Sequence, residues 1–106
     1  QERMIRSFPS SQPQPQSDGL QILRTDVQRD EQNRTLTWQV KVENTTPFQY
    51  FREAKITVYD KDGTELFSDS ERDTIAPKGK LMFQGDVTVE GDLWDRIEYW
   101  EFRIGR

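Results

Sequence analysis

A chain of 106 residues is long enough for one domain, and its formal net charge of −4 comes from 19 acidic and 15 basic side chains that are interleaved along it. Because no basic stripe is present to neutralise phosphates, nucleic acid is not an expected partner, and no apolar run approaches the length that spans a bilayer. The sequence has neither Cys nor His, which excludes disulfides, the usual nucleophile–base pairs and the common zinc sites.

Residues 1–19 differ in composition from the rest of the chain, because Pro, Gln and Ser dominate them and cannot form a packed core. We predict a flexible tether here, which is either a stalk for the domain at 20–106 or an ordinary disordered terminus. The chain begins at Gln1 rather than at Met. Removal of a signal peptide or a lipoprotein leader would explain this start, and a cloning boundary would explain it equally well.

The first strands are predicted from apolar residues that recur at every second position after Gly19. Leu20 and Ile22, followed by Leu23 and Val27, indicate a first strand with a break in its register. Residues 36–42 form the clearest half-buried strand, with Trp38 in its middle among the apolar set. This strand is expected to end at residues 44–47, where Pro47 cannot donate to a ladder.

The second half of the chain continues the same rhythm. A strand at 54–59 is predicted first, followed by a hairpin turn at 60–63, a return strand at 64–67 and a polar acidic stretch at 68–73. A turn at 76–79 then leads into a strand at 81–89, with a bulge or bend at Gly85. The chain is predicted to end with a turn at 90–92, a single helical turn at 93–96 and a strand at 97–104. The last strand is either buried on both faces or bulged near Tyr99 and Trp100.

This pattern of short strands, frequent turns and no helical periodicity predicts an all-β fold. The expected architecture is an Ig-like antiparallel two-sheet β-sandwich of about seven strands. Large aromatic side chains are expected to supply much of the core, because a domain this small needs a large buried area from each residue.

Three motifs at residues 42–46, 56–63 and 75–83 resemble the FxLYD-type family of bacterial Ig-like domains. The chain reads Val-Glu-Asn-Thr-Thr, then Ile-Thr-Val-Tyr-Asp followed by Asp-Gly, then Ile-Ala-Pro-Lys-Gly before Phe83. Ile56 and Val58 stand where the family has Phe and Leu, and Lys78 separates the Pro from the Gly. The resemblance implies an exported accessory module, periplasmic or at the cell surface, whose only expected membrane attachment is an N-terminal lipid anchor. It brings no catalytic residues.

Enzyme activity is not expected, because only carboxylates are available for acid–base chemistry and they lie in predicted turns rather than across a cleft. The segment 60–65 carries two Asp and one Glu close together, as calcium loops do. We interpret it as a polar hairpin turn in which Gly63 adopts a positive φ. No cofactor or metal is therefore expected.

Five aromatic residues are candidates for partner binding: Phe48, Tyr50, Phe51, Trp94 and Trp100. The first three are either an exposed patch for a protein or a lid over the open end of the core, and we favour the lid because a small core needs every large side chain. Trp94 has the same two interpretations, and one of the adjacent pair Tyr99 and Trp100 must project outward.

The predicted function is a non-catalytic protein-interaction or scaffolding module of the bacterial cell envelope. The alternative is a carbohydrate-binding module in which exposed Trp94 and Trp100 stack on sugar rings.

Overall fold

The computed structural model describes residues 19–106, which form six strands and one short helix. The elements are β1 Leu20–Asp30, β2 Thr35–Asn44, β3 Tyr50–Tyr59, β4 Glu65–Ile75, β5 Lys80–Thr88, α1 Gly91–Trp94 and β6 Tyr99–Gly105. The predicted tether at 1–19 lies outside the described residues, apart from Gly19. Within the described part of the chain, no helix has the length and apolar character needed to cross a membrane.

The strands form two three-stranded antiparallel sheets. The first sheet has the order β1–β2–β5 and the second has the order β4–β3–β6. The strand β1 pairs with β2 and β3 pairs with β4 as hairpins, whereas β5 returns to the first sheet and β6 to the second. This arrangement confirms the predicted all-β, two-sheet sandwich, with six strands in the described residues.

The core lies between the two central strands, β2 and β3. Alternate residues of each strand point inward and are fully buried, while their neighbours face outward, as period-two alternation dictates. The buried side chains of these strands are Leu36, Trp38, Val40, Val42, Ala54, Ile56 and Val58. Burial of each large apolar side chain stabilises the fold by about 1.5–3 kcal/mol, so this central set is the main source of stability.

The predicted break in the first strand is confirmed as a register shift between Ile22 and Arg24. Ile22 lies opposite Val42 on the buried face, whereas Arg24 lies opposite the outward-facing Lys41. Leu23 is the extra residue at this shift and is 43% exposed.

Gly85 does not mark a bulge, because the ladder between β2 and β5 runs without a register shift through it. The bulge expected from the sequence was wrong, and a close tertiary approach explains the glycine. Gly85 lies directly opposite Trp38, and a Cβ there would stand 2.9 Å from Nε1 of Trp38 and 2.8 Å from Oδ2 of Asp69. The glycine leaves room for the indole and the carboxylate to meet.

Two strand boundaries also differ from those expected. The return strand β4 continues through the polar stretch 68–73 to Ile75, because an edge strand tolerates charged residues that a central strand would exclude. The last strand begins only at Tyr99, so the buried Ile97 precedes it. The change of parity between Ile97 and Trp100 therefore reflects the strand boundary, and neither a bulge nor burial on both faces is needed to explain it.

Candidate partner-binding surface

A buried asparagine at the end of β2 organises the loop that follows. Asn44 is fully buried, and its Nδ2 donates to the carbonyl of Phe48 at 2.6 Å and to that of Ala76 at 3.1 Å. Its Oδ1 accepts from the backbone N–H and the hydroxyl of Thr46, at 2.9 and 2.7 Å. Both ends of the side-chain amide thus bond to the β2–β3 loop, residues 45–49, and its Nδ2 also joins that loop to the β4–β5 turn, residues 76–79.

Lys78 joins the same loop and turn from the other side. Its backbone N–H donates to the carbonyl of Thr46 at 3.0 Å, and its Nζ donates to the carbonyl of Thr45 at 2.8 Å. Lys78 adopts a positive φ of 58°, at the position where the sequence places a residue between Pro77 and Gly79. Because these bonds fix the backbone on both sides, the loop is held in one conformation rather than left free.

Two phenylalanine rings project from this end of the sandwich. Phe48 is 64% exposed and Phe51 is 58% exposed. Phe51 faces outward because it has the opposite parity to the inward-facing Ala54 and Ile56 on β3. The lid interpretation is therefore wrong for both phenylalanines. We call the loop 45–49, the turn 76–79 and Phe51 together the aromatic end.

Tyr50 behaves differently from its two neighbours. Its ring packs against the core, and the guanidinium carbon of Arg52 lies 4.3 Å from the ring centroid. Of the three clustered aromatic residues, the structure thus uses one to cover the core and leaves two at the surface.

Trp94 is buried, at 3% exposure, and is not available to bind a sugar or a partner. Its Nε1 donates to Oε1 of Glu31 at 2.7 Å, and the guanidinium carbon of Arg29 lies 4.7 Å from its ring centroid. Arg29 also pairs with Glu31, at 3.3 Å. Trp94 therefore attaches the short helix α1 to the β1–β2 hairpin, at the end of the sandwich opposite the aromatic end.

Trp100 is half-buried on the inner face of β6, opposite Val58 of β3, and packs against the core. Tyr99 is the residue that projects outward, and it stacks on Tyr59 with ring centroids 5.0 Å apart. Trp94 and Trp100 consequently do not form the exposed coplanar pair that the carbohydrate-binding alternative requires.

Burial and a hydrogen bond to Glu101 raise the pKa of the Tyr59 hydroxyl to about 12.

The predicted hairpin at 60–63 forms, with Gly63 at a φ of 82°. Oδ1 of Asp60 accepts the backbone N–H groups of Asp62 and Thr64, both at 2.9 Å, and its Oδ2 pairs with Arg96 at 3.0 Å. The backbone bond from Thr64, with the Arg96 guanidinium, lowers the pKa of Asp60 below its usual value. Within residues 19–106, no group of three or more Asp or Glu side chains is placed to hold a metal ion.

The organising role of Asn44 was not predicted from the sequence, which indicated only that the strand ends there. An Asn followed by Thr residues and a Pro is a local signal for a side chain that bonds to nearby backbone. The bond to Ala76 could not have been predicted, because it depends on how the two hairpins pack.

Comparisons with known proteins bear on the fold alone. No protein-family model matches the chain, and no curated protein sequence matches it. Among solved structures, the chain is similar to the crystal structure of a DUF1425 family member from Shewanella sp. pv-4. The match has a TM-score of 0.57 and a sequence identity of 12%, and it covers 90% of this chain and 95% of that chain. This likeness supports the β-sandwich fold. It does not confirm the resemblance to FxLYD-type domains, and it assigns no activity.

Proposed function

We propose that the domain is a non-catalytic protein-interaction module of the bacterial cell envelope, and that it binds its partner through the aromatic end. The observation that carries this proposal is the high exposure of Phe48 and Phe51 within four residues of each other. Exposed large aromatic side chains are common anchors of protein interfaces, where each can bury a large area.

The rigidity of the aromatic end supports the same proposal. A binding loop that is already fixed loses less conformational entropy when a partner docks than a loop that must be ordered. Asn44 and Lys78 fix the loop backbone through bonds to Thr45, Thr46 and Phe48. The exposed rings therefore belong to a preorganised surface, and this favours a role in partner recognition over a role in folding.

Site-specific photocrosslinking in the cells that produce the protein tests this proposal. A photoreactive phenylalanine replaces Phe48 or Phe51 in the full chain, and matched controls carry it at Leu23 or Met82, which are also exposed apolar positions. We expect one discrete protein adduct from positions 48 and 51 and none from positions 23 and 82. The adduct is then identified by mass spectrometry and its protein component is purified.

A calorimetric titration with that purified partner measures the binding affinity. We expect Phe48→Ser/Phe51→Ser to weaken binding by about 30-fold or more, which corresponds to the loss of about 2 kcal/mol that defines an interface hot spot. The control Leu23→Ser/Met82→Ser should bind as the parent chain does. The same adduct from all four positions, or unchanged binding by the Phe48 and Phe51 variant, would contradict the proposal.

The proposed cell-envelope location is supported by the resemblance of the three turn-and-strand motifs to exported domains, and cell fractionation tests it separately. We expect the protein in the periplasmic or membrane fraction. A protein found wholly in the cytoplasmic fraction would contradict the location and leave the binding surface to be judged by the crosslinking experiment.

A further inference from the structure

The edge strands of the sandwich differ in how well they are protected against pairing with another chain. β1 has a bulge at Leu23, and β4 has Asp69, Glu71 and Asp73 on the same face as the core residues of β3. Bulges and inward-pointing charges are the usual devices that discourage edge pairing. β4 and β5 also pack against each other at one flank of the sandwich, whereas β1 and β6 do not pack closely at the other.

The edge at β6 has none of these devices in the described part of the chain. Its ladder with β3 is regular from Tyr99 to Gly105, without Pro, Lys or a register shift. Three half-buried side chains, Trp100, Phe102 and Ile104, line its inner face at the open flank. Within residues 19–106, β6 therefore presents a straight edge with no second partner strand, and its apolar side chains are only half covered.

The charges on the outer face of β6 are not balanced within its own sheet. Arg103 lies directly opposite Lys55 of β3, a like charge that is unfavourable at this position. None of the ion pairs among the described residues involves Arg103. Glu101 lies opposite the neutral Thr57, and its Oε1 accepts the Tyr59 hydroxyl at 3.0 Å. Within residues 19–106, the cation Arg103 thus has no ion-pair partner and lies two residues from the anion Glu101.

We infer that two copies of this chain associate through their β6 strands, paired antiparallel about a two-fold axis at Phe102. In that register Glu101 of each copy lies opposite Arg103 of the other on the outer face. Trp100 of each copy lies opposite Ile104 of the other on the inner face, and Phe102 lies opposite its own equivalent. The two second sheets join into one continuous six-stranded sheet, in which the same patch of each copy forms the interface.

The registers centred on Glu101 or Arg103 place like charges opposite each other, and those centred on Trp100 or Ile104 leave Arg103 without a carboxylate opposite it. An axis at Glu101 pairs Glu101 with its own equivalent, and an axis at Arg103 does the same for Arg103. Like charges directly opposite in a ladder are destabilising, whereas opposite charges stabilise it. Charge complementarity therefore selects the axis at Phe102. The dimer uses the edge of β6, whereas the proposed partner binding uses the loop 45–49, the turn 76–79 and Phe51, so the two proposals are tested separately.

Sedimentation equilibrium of the full 106-residue chain, at concentrations up to about 1 mM, tests the inference through a charge reversal. We expect the parent chain to form dimers. Arg103→Glu, which replaces both Glu–Arg pairs by Glu–Glu pairs, should weaken dimerisation by about tenfold or more. The double reversal Glu101→Arg/Arg103→Glu restores opposite charges and should recover dimerisation. Circular dichroism checks that each variant is folded, since both positions are exposed.

The register is tested with single cysteines, which is possible because the chain has no native Cys. Phe102→Cys should form an intermolecular disulfide under mild oxidation, because the two copies of this residue are adjacent at the axis. Ile104→Cys, the matched control on the same face, should not, because its opposite residue is Trp100. A parent chain that is monomeric at every concentration, a double reversal that fails to recover dimers relative to Arg103→Glu, or faster crosslinking at 104 than at 102 would overturn the inference.

Discussion

The indole Nε1 of Trp38 donates a hydrogen bond to Oδ2 of Asp69 at 2.9 Å, and this bond connects the two sheets of the sandwich. Trp38 is fully buried in the central strand of the first sheet, and Asp69 lies on the edge strand β4 of the second. A buried indole N–H needs an acceptor, and the carboxylate supplies one at the margin of the core. The pair therefore fixes how the β4 edge is placed over the first sheet.

Removal of the acceptor should destabilise the domain. We expect Asp69→Ala to lower the free energy of unfolding by about 1–3 kcal/mol, because the indole N–H is then left without its partner. Asp69→Asn is the matched control and should retain most of the stability, since its side-chain oxygen can still accept. Urea unfolding followed by Trp fluorescence measures both variants. Equal stability of Asp69→Ala and the parent chain would contradict the proposed role of this bond.

The glycine beside this pair should not tolerate a side chain. We expect Gly85→Ala to cost about 1–3 kcal/mol of unfolding free energy, because its Cβ would approach both Trp38 and Asp69 to less than 3.0 Å. The cost should be smaller in the Asp69→Ala background, where one of the two clashes is absent. A double-mutant cycle measured by urea unfolding gives the coupling between the two sites. Strict additivity would show that Asp69 does not contribute to the crowding.

Asn44 should be important for stability although it is polar. Asn44→Ala leaves the carbonyls of Phe48 and Ala76 and the N–H of Thr46 without their side-chain partner, so we expect a loss of about 2–4 kcal/mol. The matched control is Asn33→Ala, which removes an exposed side chain bonded to Asp30 and should change stability much less. Thermal unfolding of both variants tests the difference, and a comparable loss at both sites would contradict the special role of Asn44.

The sandwich could be predicted from the sequence because strand faces follow from period-two alternation, which is clear at 36–42 and 54–58. The acidic stretch 68–73 was not recognised as a strand, because an edge strand can hold charges that break the alternation. The reason for Gly85 could not be predicted, since it depends on Trp38 in another strand. Local pattern also could not decide whether Phe48 covers the core, because that depends on how the loop is bonded to the β4–β5 turn.

Asp60 should make stability depend on acid pH. Its pKa is lower in the folded protein than the ordinary 3.8, so its contribution is complete above that value and is lost as the pH falls through the folded-state pKa. We expect Asp60→Asn to be less stable than the parent chain at pH 7 and to lose less stability between about pH 4 and pH 2. Urea midpoints across this range measure the effect. Asp30, whose pKa is lowered by its bond from the Asn33 side chain, should leave some acid sensitivity in the variant.

The free energy of unfolding of Phe48→Ser/Phe51→Ser tests most directly whether the aromatic end is a free surface. Surface substitutions usually change stability by about 0.5 kcal/mol or less each, whereas removal of a buried Phe side chain costs about 3–5 kcal/mol. We predict that urea unfolding of the double variant gives a value within about 1 kcal/mol of the parent chain. A loss of about 3 kcal/mol or more would show that the rings cover the core and would contradict the proposed binding surface.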